Sequence, residues 1–352
     1  WNMYNGYMLG LAVYNHVAPQ KRFEWSAAPM YGFRNKNIAG YADAFLHFHP
    51  NKIFNHIDLG VTATRYAYSN EPLTDLDFNK VAPEITFHFK KKRETSPLKQ
   101  QLRFRNVLIW QDNVIGKYQF TPAIYEYTQL KKSFYEVSYS FQNKRTIHPY
   151  SFTTTLLQGD TMMKLTFTGN YRLNVTKNKA IDFRVFGGTF LDNTNAGPYR
   201  FRMSGWRGYQ DYLYDHIYLG RTATWQVAAN QMTENDGAFK LYTPLGQSAQ
   251  WLAALNIKTD LPFNVPFLNS VRLYADIGAC GSDGLVNNQV LYNAGINLSL
   301  FNGFADVYFP LLMSADLRDA VDANDWNFIQ TIRFELKLEK LNPNKLSNLI
   351  SF

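Results

Sequence analysis

The stretch Met163-Lys164-Leu165-Thr166-Phe167-Thr168-Gly169-Asn170-Tyr171-Arg172-Leu173-Asn174-Val175 decides the fold. One face takes Met163, Leu165, Phe167, Tyr171, Leu173 and Val175, and the other takes Lys164, Thr166, Thr168, Asn170, Arg172 and Asn174. A period of two is the period of a β-strand, and about 10 alternating residues is what a tilted strand needs to cross a bilayer's hydrocarbon layer. The same reading returns near the end of the chain, where Phe328, Ile332, Phe334, Leu336 and Leu338 oppose Arg333, Glu335, Lys337 and Glu339. A soluble sandwich also alternates, but its strands usually run about 5–6 residues and its polar face meets bulk water. Here the polar face mixes Arg with Glu, as a barrel lumen does. Trp1, Tyr4, Trp25, Tyr31 and Trp110 collect near strand ends, as interfacial girdles do.

Composition points the same way. Aromatic residues make up 16% of the 352 residues and charged residues only 18%, a profile of strands rather than helices. Mean hydropathy is −0.32 and no stretch approaches about 18 consecutive apolar residues, so no helix can span a bilayer. In lipid every backbone group must be paired internally, so a membrane role requires a closed barrel. The one cysteine, Cys280, rules out an internal disulfide and reads as a small half-buried residue. The net charge of +8 is spread along alternating positions without a dense basic block, which argues against a nucleic-acid partner. The chain begins at Trp1 without a basic and apolar leader, so a signal peptide is expected to be removed or upstream, and the chain to be a piece of a longer one.

The expected fold is all-β: one closed antiparallel transmembrane barrel of about 16 strands over residues 1–352. The strands are expected at 3–14, 22–34, 38–49, 53–68, 80–90, 98–110, 118–128, 133–143, 149–158, 161–175, 179–190, 247–257, 269–279, 289–300, 303–310 and 325–338. The segment 118–128 contains Pro122, which is unusual inside a strand. An even count places both termini on one side, the periplasm. The interval 191–246, after the eleventh strand, then lies outside the cell, and a connection that long implies a function.

That interval holds Trp206-Arg207-Gly208-Tyr209, and a later strand holds Tyr274-Ala275-Asp276-Ile277-Gly278. These resemble the Arg-Gly-aromatic loop signature and the aromatic-x-Asp-x-Gly strand signature of the BamA superfamily of outer-membrane barrels. The resemblance implies a long loop folded into the lumen, with Arg207 docked on Asp276 and Gly208, Tyr209, Tyr274 and Gly278 around the lock. The chemistry is apt, because a guanidinium presents a planar donor fork to a carboxylate. Alternation sends Val271, Leu273, Ala275 and Ile277 to one face and Arg272, Tyr274, Asp276 and Gly278 to the other, so Asp276 faces the lumen. Segments 247–257, 290–300 and 306–310 extend the likeness, and Phe352 is placed where such barrels carry an aromatic targeting signal. In the insertion branch of the family a lateral seam opens between the first and last strands, here Gly6 and Gly10 against Phe328, Ile332 and Phe334. The glycines read equally well as packing accommodations.

A looser resemblance runs through Asn5-Gly6-Tyr7-Met8-Leu9-Gly10, Ala28-Pro29-Met30-Tyr31 and Phe89-Lys90-Lys91-Lys92 to the barrel attached to gluzincin-type metallopeptidases of Bacteroidota. It implies a fused upstream peptidase. This chain itself holds no His-Glu-x-x-His and no Gly-x-Ser-x-Gly, so no enzyme and no cofactor is expected in it. His47 and His49 share a strand face, but no third ligand is near in sequence, so they read as structural or rim histidines and no metal is expected. Lys90-Lys91-Lys92-Arg93 reads as a solvated rim or a contact for lipopolysaccharide phosphate. The expected partners are outer-membrane lipid and lipopolysaccharide, and a fused or associated periplasmic domain or larger complex. The functions weighed are insertion or secretion of proteins, anchor or conduit for such a domain, and, from other classes, a passive porin or a soluble glycan-binding sandwich.

Overall fold

The computed structural model describes residues 1–337 apart from 16–20, 51, 71–74, 94, 119–123, 178, 225–226, 263–269, 282–288 and 302. The alternating runs become one antiparallel sheet of sixteen strands. β1 (Met8–Gly10) and β2 (Val13–Tyr14) both pair with β3 (Phe23–Gly32). The path continues through β4 (Asn37–Phe48), β5 (Phe54–Ser69), β6 (Leu76–Phe89), β7 (Leu98–Tyr118), β8 (Ile124–Asn143), β9 (Tyr150–Gln158), β10 (Met162–Thr176) and β11 (Lys179–Asn193). The long connection contains a short ladder between β12 (Phe201–Arg202) and β13 (Gln247–Ser248). The sheet then resumes with β14 (Trp251–Asp260), β15 (Val271–Cys280), β16 (Gln289–Leu300), β17 (Ala305–Met313) and β18 (Arg333–Leu336).

The faces are those read from the sequence. On β10, Leu165 and Phe167 are 37% and 41% exposed while Lys164 beside Leu165 is 2% exposed. Trp25, Leu59, Val61, Phe104, Val185, Leu273, Ile277 and Tyr292 continue the outer apolar surface around the sheet. Inside, the buried groups are the polar half of each repeat, Asp43, Thr86, Glu136, Asn256, Asp276, Asn297, Arg333 and Glu335. Polar inside and apolar outside is the reverse of a water-soluble sandwich and the arrangement of a membrane barrel.

Several expected boundaries are corrected. The strands expected at 98–110, 118–128 and 133–143 are two long strands, β7 and β8, and Pro122 lies outside the described residues. β6 reaches only from Phe78 opposite Gln111, so the rest of the β7–β8 hairpin projects past its neighbour as a ribbon, with no apolar face to register in the sequence. The expected strand 3–14 is reduced to β1 and β2. Residues 1–6 form a turn closed by an Asn2–Gly6 bridge, with Tyr4 buried. The expected strand 325–338 is short: α2 (Phe328–Thr331) precedes β18, and α1 (Ala315–Ala323) precedes both. Phe328 and Ile332 therefore belong to a helical turn and its end, and of the expected seam residues only Gly10 in β1 and Phe334 in β18 are in strands.

Because β1 and β2 share one position against β3, β1 starts and β18 finishes at opposite ends of the sheet, while the even-count expectation for the C-terminus falls on residues 338–352, outside the described residues. Tyr7 and Asn5 bond the turn after β3 at Phe33 and Arg34, the end to which β11 delivers the long connection, whereas Lys337 bonds Phe304 at the other end. The two longest connections, residues 194–250 and 314–332, leave from the same end.

Candidate functional site

The long connection does not lie over the rim. It fills the lumen, and its side chains reach the wall in several directions. Phe201, Met203, Phe239 and Leu241 are at most 1% exposed and pack on Phe186, Leu252, Ala254, Cys280 and Leu291 of the wall. Each such burial contributes about 1.5–3 kcal/mol, so this face anchors the loop before any ion pair is considered. Cys280 is one of these small buried residues. Leu317 and Val321 of α1 close the cluster from above.

On one wall the loop supplies the acid. Asp215 receives Lys80 of β6 and both terminal nitrogens of Arg105 of β7, each at 2.8 Å. Arg105 also bonds Glu136 of β8 at 2.7 Å, as does Arg103. Burial alone would raise the Asp215 carboxyl, but Arg105 and then Lys80 outweigh it and hold the group well below the usual carboxylate range. Further round, Lys164 of β10 lies over the rings of Phe201, Phe190 and Tyr212 at 4.6, 5.0 and 5.3 Å. Arg184 of β11 donates to the backbone oxygens of Asp236 and Glu234. Asp236 in turn accepts from the Trp206 indole at 2.8 Å, and burial pushes its carboxyl up.

On the opposite wall the polarity is exchanged, with the acid on the barrel. Asp276 of β15 is fully buried and faces the lumen, as its phase in the sequence implies. Its carboxylate accepts the Lys240 backbone N–H at 3.0 Å, Asn256 at 2.9 Å and Asn293 at 3.2 Å, with Lys240 Nζ at 3.6 Å. Among the described residues no hydrogen bond or ion pair joins Arg207 to Asp276. The Arg207 guanidinium instead lies 3.4 Å above the ring of Tyr242, whose hydroxyl is 3.1 Å from that of Tyr209. The loop is fastened at Asp276 by Lys240, and the Arg-Gly-Tyr segment forms a separate knot nearby. The reason is in the register: the Phe239–Lys240 strand segment bonds Met203 and Gly205 and runs against β15, while Arg207 begins a helical turn capped by Gln210.

The other expected lock residues keep their neighbourhood. A Cβ on Gly208 would stand 2.4 Å from the backbone of Arg221, and one on Gly278 would stand 2.3 Å from Met203 Sδ, so each glycine admits a close approach of the loop. Tyr274 is buried against Tyr308 and Met232. His47 points inward and His49 is exposed. Phe352 lies outside the described residues.

Sequence reasoning missed the basic inner wall of Lys80, Arg105, Lys164, Arg184 and Lys258 and its acidic counterparts Asp215, Glu234 and Asp236. A period-two phase check places each of the five cations on the polar face of its strand, which is the signal that was there to be read.

Comparison with solved structures finds barrels. The chain is similar to BamA from Haemophilus ducreyi lacking POTRA domains 1–3, with 11% identity and a TM-score of 0.45 over 88% of this chain and 67% of that one. It is similar to CdiB from Escherichia coli at 12% identity and a TM-score of 0.45, and to CdiB from Acinetobacter baumannii at 9% and 0.41. Its structural neighbours are BamA and CdiB. It spans 58% and 51% of the two CdiB chains. Neither a family model nor a curated protein sequence matches it.

The last strand of the sheet and the turn that precedes its first strand meet the same loop. Met232 N–H bonds the Phe334 oxygen at 2.8 Å and Arg333 Nε bonds the Asn230 oxygen at 3.0 Å, so the loop lies along the edge of β18. On the other side Met3 N–H bonds the Leu219 oxygen, and the Tyr4 hydroxyl meets Thr222 at 2.8 Å. Among the described residues no ladder joins β18 to β1, and the loop is bonded both to the edge of β18 and to the turn before β1.

Proposed function

We propose that this chain is the outer-membrane barrel module of a protein-inserting, protein-secreting or domain-anchoring system, with a plugged lumen and a seam held by its plug. The observation that carries the reading is the loop itself, fixed to β6, β7, β11, β14, β15 and β18 at once. A diffusion channel needs an open lumen, and ion pairs on facing walls oppose one. The outer apolar surface supports a lipid environment. The two longest connections share one end, which supports that end as the outside. Lys90–Arg93 then lies at the periplasmic rim, away from the leaflet that carries lipopolysaccharide. In the anchoring branch, the likeness to metallopeptidase-associated barrels makes the module the membrane foot of a fused catalytic domain. In the inserting branch the seam beside β18 is the working surface.

Planar-bilayer recording tests the proposal. The unaltered protein should pass small, unsteady currents, and Asp215→Asn combined with Lys240→Met, which frees the loop from both walls, should enlarge them several-fold. Large steady currents from the unaltered protein would establish a passive porin instead.

A further inference from the structure

Four of the chain's seven histidines, His47, His49, His56 and His88, fall on three adjacent strands or their ends, and three of them converge on one carboxylate. His47 on β4 is opposite Asp58 on β5, and His56 on β5 is opposite His88 on β6. Alternation then turns His47, His56, Asp58 and His88 to the same inner face, near the end away from the long loop. His88 Nε2 stands 2.9 Å and His56 Nε2 stands 3.6 Å from the same oxygen, Asp58 Oδ2. The other oxygen, Oδ1, is held by His47 Nδ1 at 2.6 Å, and His47 Nε2 faces Glu24 of β3 at 3.3 Å.

We propose that His56, His88 and Asp58 form a binding site for a divalent transition-metal cation, with zinc the best match. Zinc held at about 2.0–2.2 Å by imidazole nitrogen and carboxylate oxygen sets tetrahedral ligand atoms about 3.4 Å apart. The three donor atoms already lie within 4.8 Å of one another, so small side-chain rotations suffice. The rings of His56 and His88 are stacked at 3.8 Å between centroids. His47 and Glu24 act through Asp58: the chain Glu24–His47–Asp58 fixes the carboxylate so that Oδ2 is left for the ion, as outer partners orient the ligands of zinc sites. Three protein donors leave a fourth position toward the lumen for water or a donor from a passing or bound chain. A closed hydrogen-bonded histidine network without metal is the competing reading, and it predicts no selectivity among divalent ions.

The test uses the full chain without a histidine tag, folded in detergent and stripped with chelator. Calorimetric titration with zinc should show one ion per chain, with Mg2+ silent. His56→Gln and His88→Gln should each weaken zinc by more than the about 10–100-fold expected for His47→Gln, while His148→Gln, in a distant turn, leaves it unchanged. Folding of each variant is checked by its heat-modifiable gel mobility. Should the variants misfold, Co2+ added to the unaltered protein gives an independent reading, because a tetrahedral nitrogen and oxygen site produces intense visible absorption. Absence of zinc binding, or zinc binding that survives loss of both His56 and His88, overturns the proposal.

Discussion

The wall formed by β7 and β8 and the seam beside β18 close the same cylinder by different means. β7 and β8 are registered continuously from Leu98 opposite Asn143 to Tyr118 opposite Ile124, with one irregularity, and Val107, Ile109 and Phe134 are buried beneath them. β18 has four residues and β1 three, and each is paired on one side only within the sheet. A backbone hydrogen bond contributes about 0.5–1.5 kcal/mol net, so a ladder of some twenty residues is self-sufficient and one of four is not. The seam therefore depends on the loop bonded beside it, whereas the wall has its own long ladder in addition to the loop residues Leu213 and Tyr214 packed on it. Proteins open where local stability is least, and here that place is set by the plug.

The largest expected effect follows from cutting the plug's strongest attachment. Asp215→Asn leaves Lys80 and Arg105 facing the lumen without their shared acid. Breaking a buried pair costs about 3–5 kcal/mol, and the part-exposure of Asp215 puts this one at the low end, about 3 kcal/mol by denaturant unfolding in detergent. The carboxyl is depressed in the folded state, so the stabilisation is complete above the unfolded value of about 3.9 and fades only as pH falls below it. The gap between the two proteins should then stay constant from about pH 8 to pH 5 and shrink below about pH 4. A gap that closes between pH 7 and pH 5 would contradict the assignment.

A double-mutant cycle separates the two candidate locks. Lys240→Met with Asp276→Asn should show a coupling of about 1–3 kcal/mol, whereas Arg207→Met with Asp276→Asn should add within about 0.5 kcal/mol. Equal coupling in the two cycles would restore Arg207 as the docking cation. Hydrogen exchange then sharpens the contrast between the regions. Amides of β18 should exchange about 100-fold faster than those at the centre of β7 and β8, a difference of about 2.7 kcal/mol in opening free energy, and Asp215→Asn should widen it. Uniform exchange around the sheet would mean that the seam is closed by something other than the loop.

The parts of this architecture legible in the sequence are those where one physical cause acts over many residues. Lipid outside and a wet lumen inside impose period two on β10 and β15, and the phase of 271–278 puts Asp276 inward without any structure. Where a strand leaves that environment the signal goes. The projecting β7–β8 ribbon and the polar segment Gln129–Leu130–Lys131–Lys132 have no two-sided solvent to obey, so the hairpin read as three strands. Two helices were overlooked although their cues are present. Asn327 and Gln330 form a reciprocal cap, and Leu317 and Val321 are spaced one turn apart after Ser314. The identity of the docking cation was not legible, because Arg207 and Lys240 lie in the same loop and only the pairing of Phe239 with Met203 and Gly205 decides which one meets β15. The histidine cluster was hidden for a similar reason: His47 finds its companions across strands, at 56, 58 and 88, and not along its own.

The smallest expected effect concerns Asp236, the loop acid closest in character to Asp215 and opposite to it in behaviour. Burial raises its carboxyl, with Lys164 the main opposing influence. An acid raised in the folded state gives most stability below its unfolded value and loses it as pH climbs to the folded one. Asp236→Asn keeps an acceptor for the Trp206 indole and the Arg202 N–H while removing the charge, so at neutral pH its cost should be under about 1 kcal/mol. That outcome depends on how Lys164 is sustained. Three aromatic rings surround its ammonium within 5.3 Å, and each such contact is worth about 0.5–2 kcal/mol when desolvated. If the rings hold the cation, the variant unfolds near the parent's midpoint and gains on it as pH rises. A loss as large as that of Asp215→Asn would show that Lys164 relies on Asp236, and that the loop is pinned by ion pairs along the β10–β11 wall as firmly as along β6 and β7.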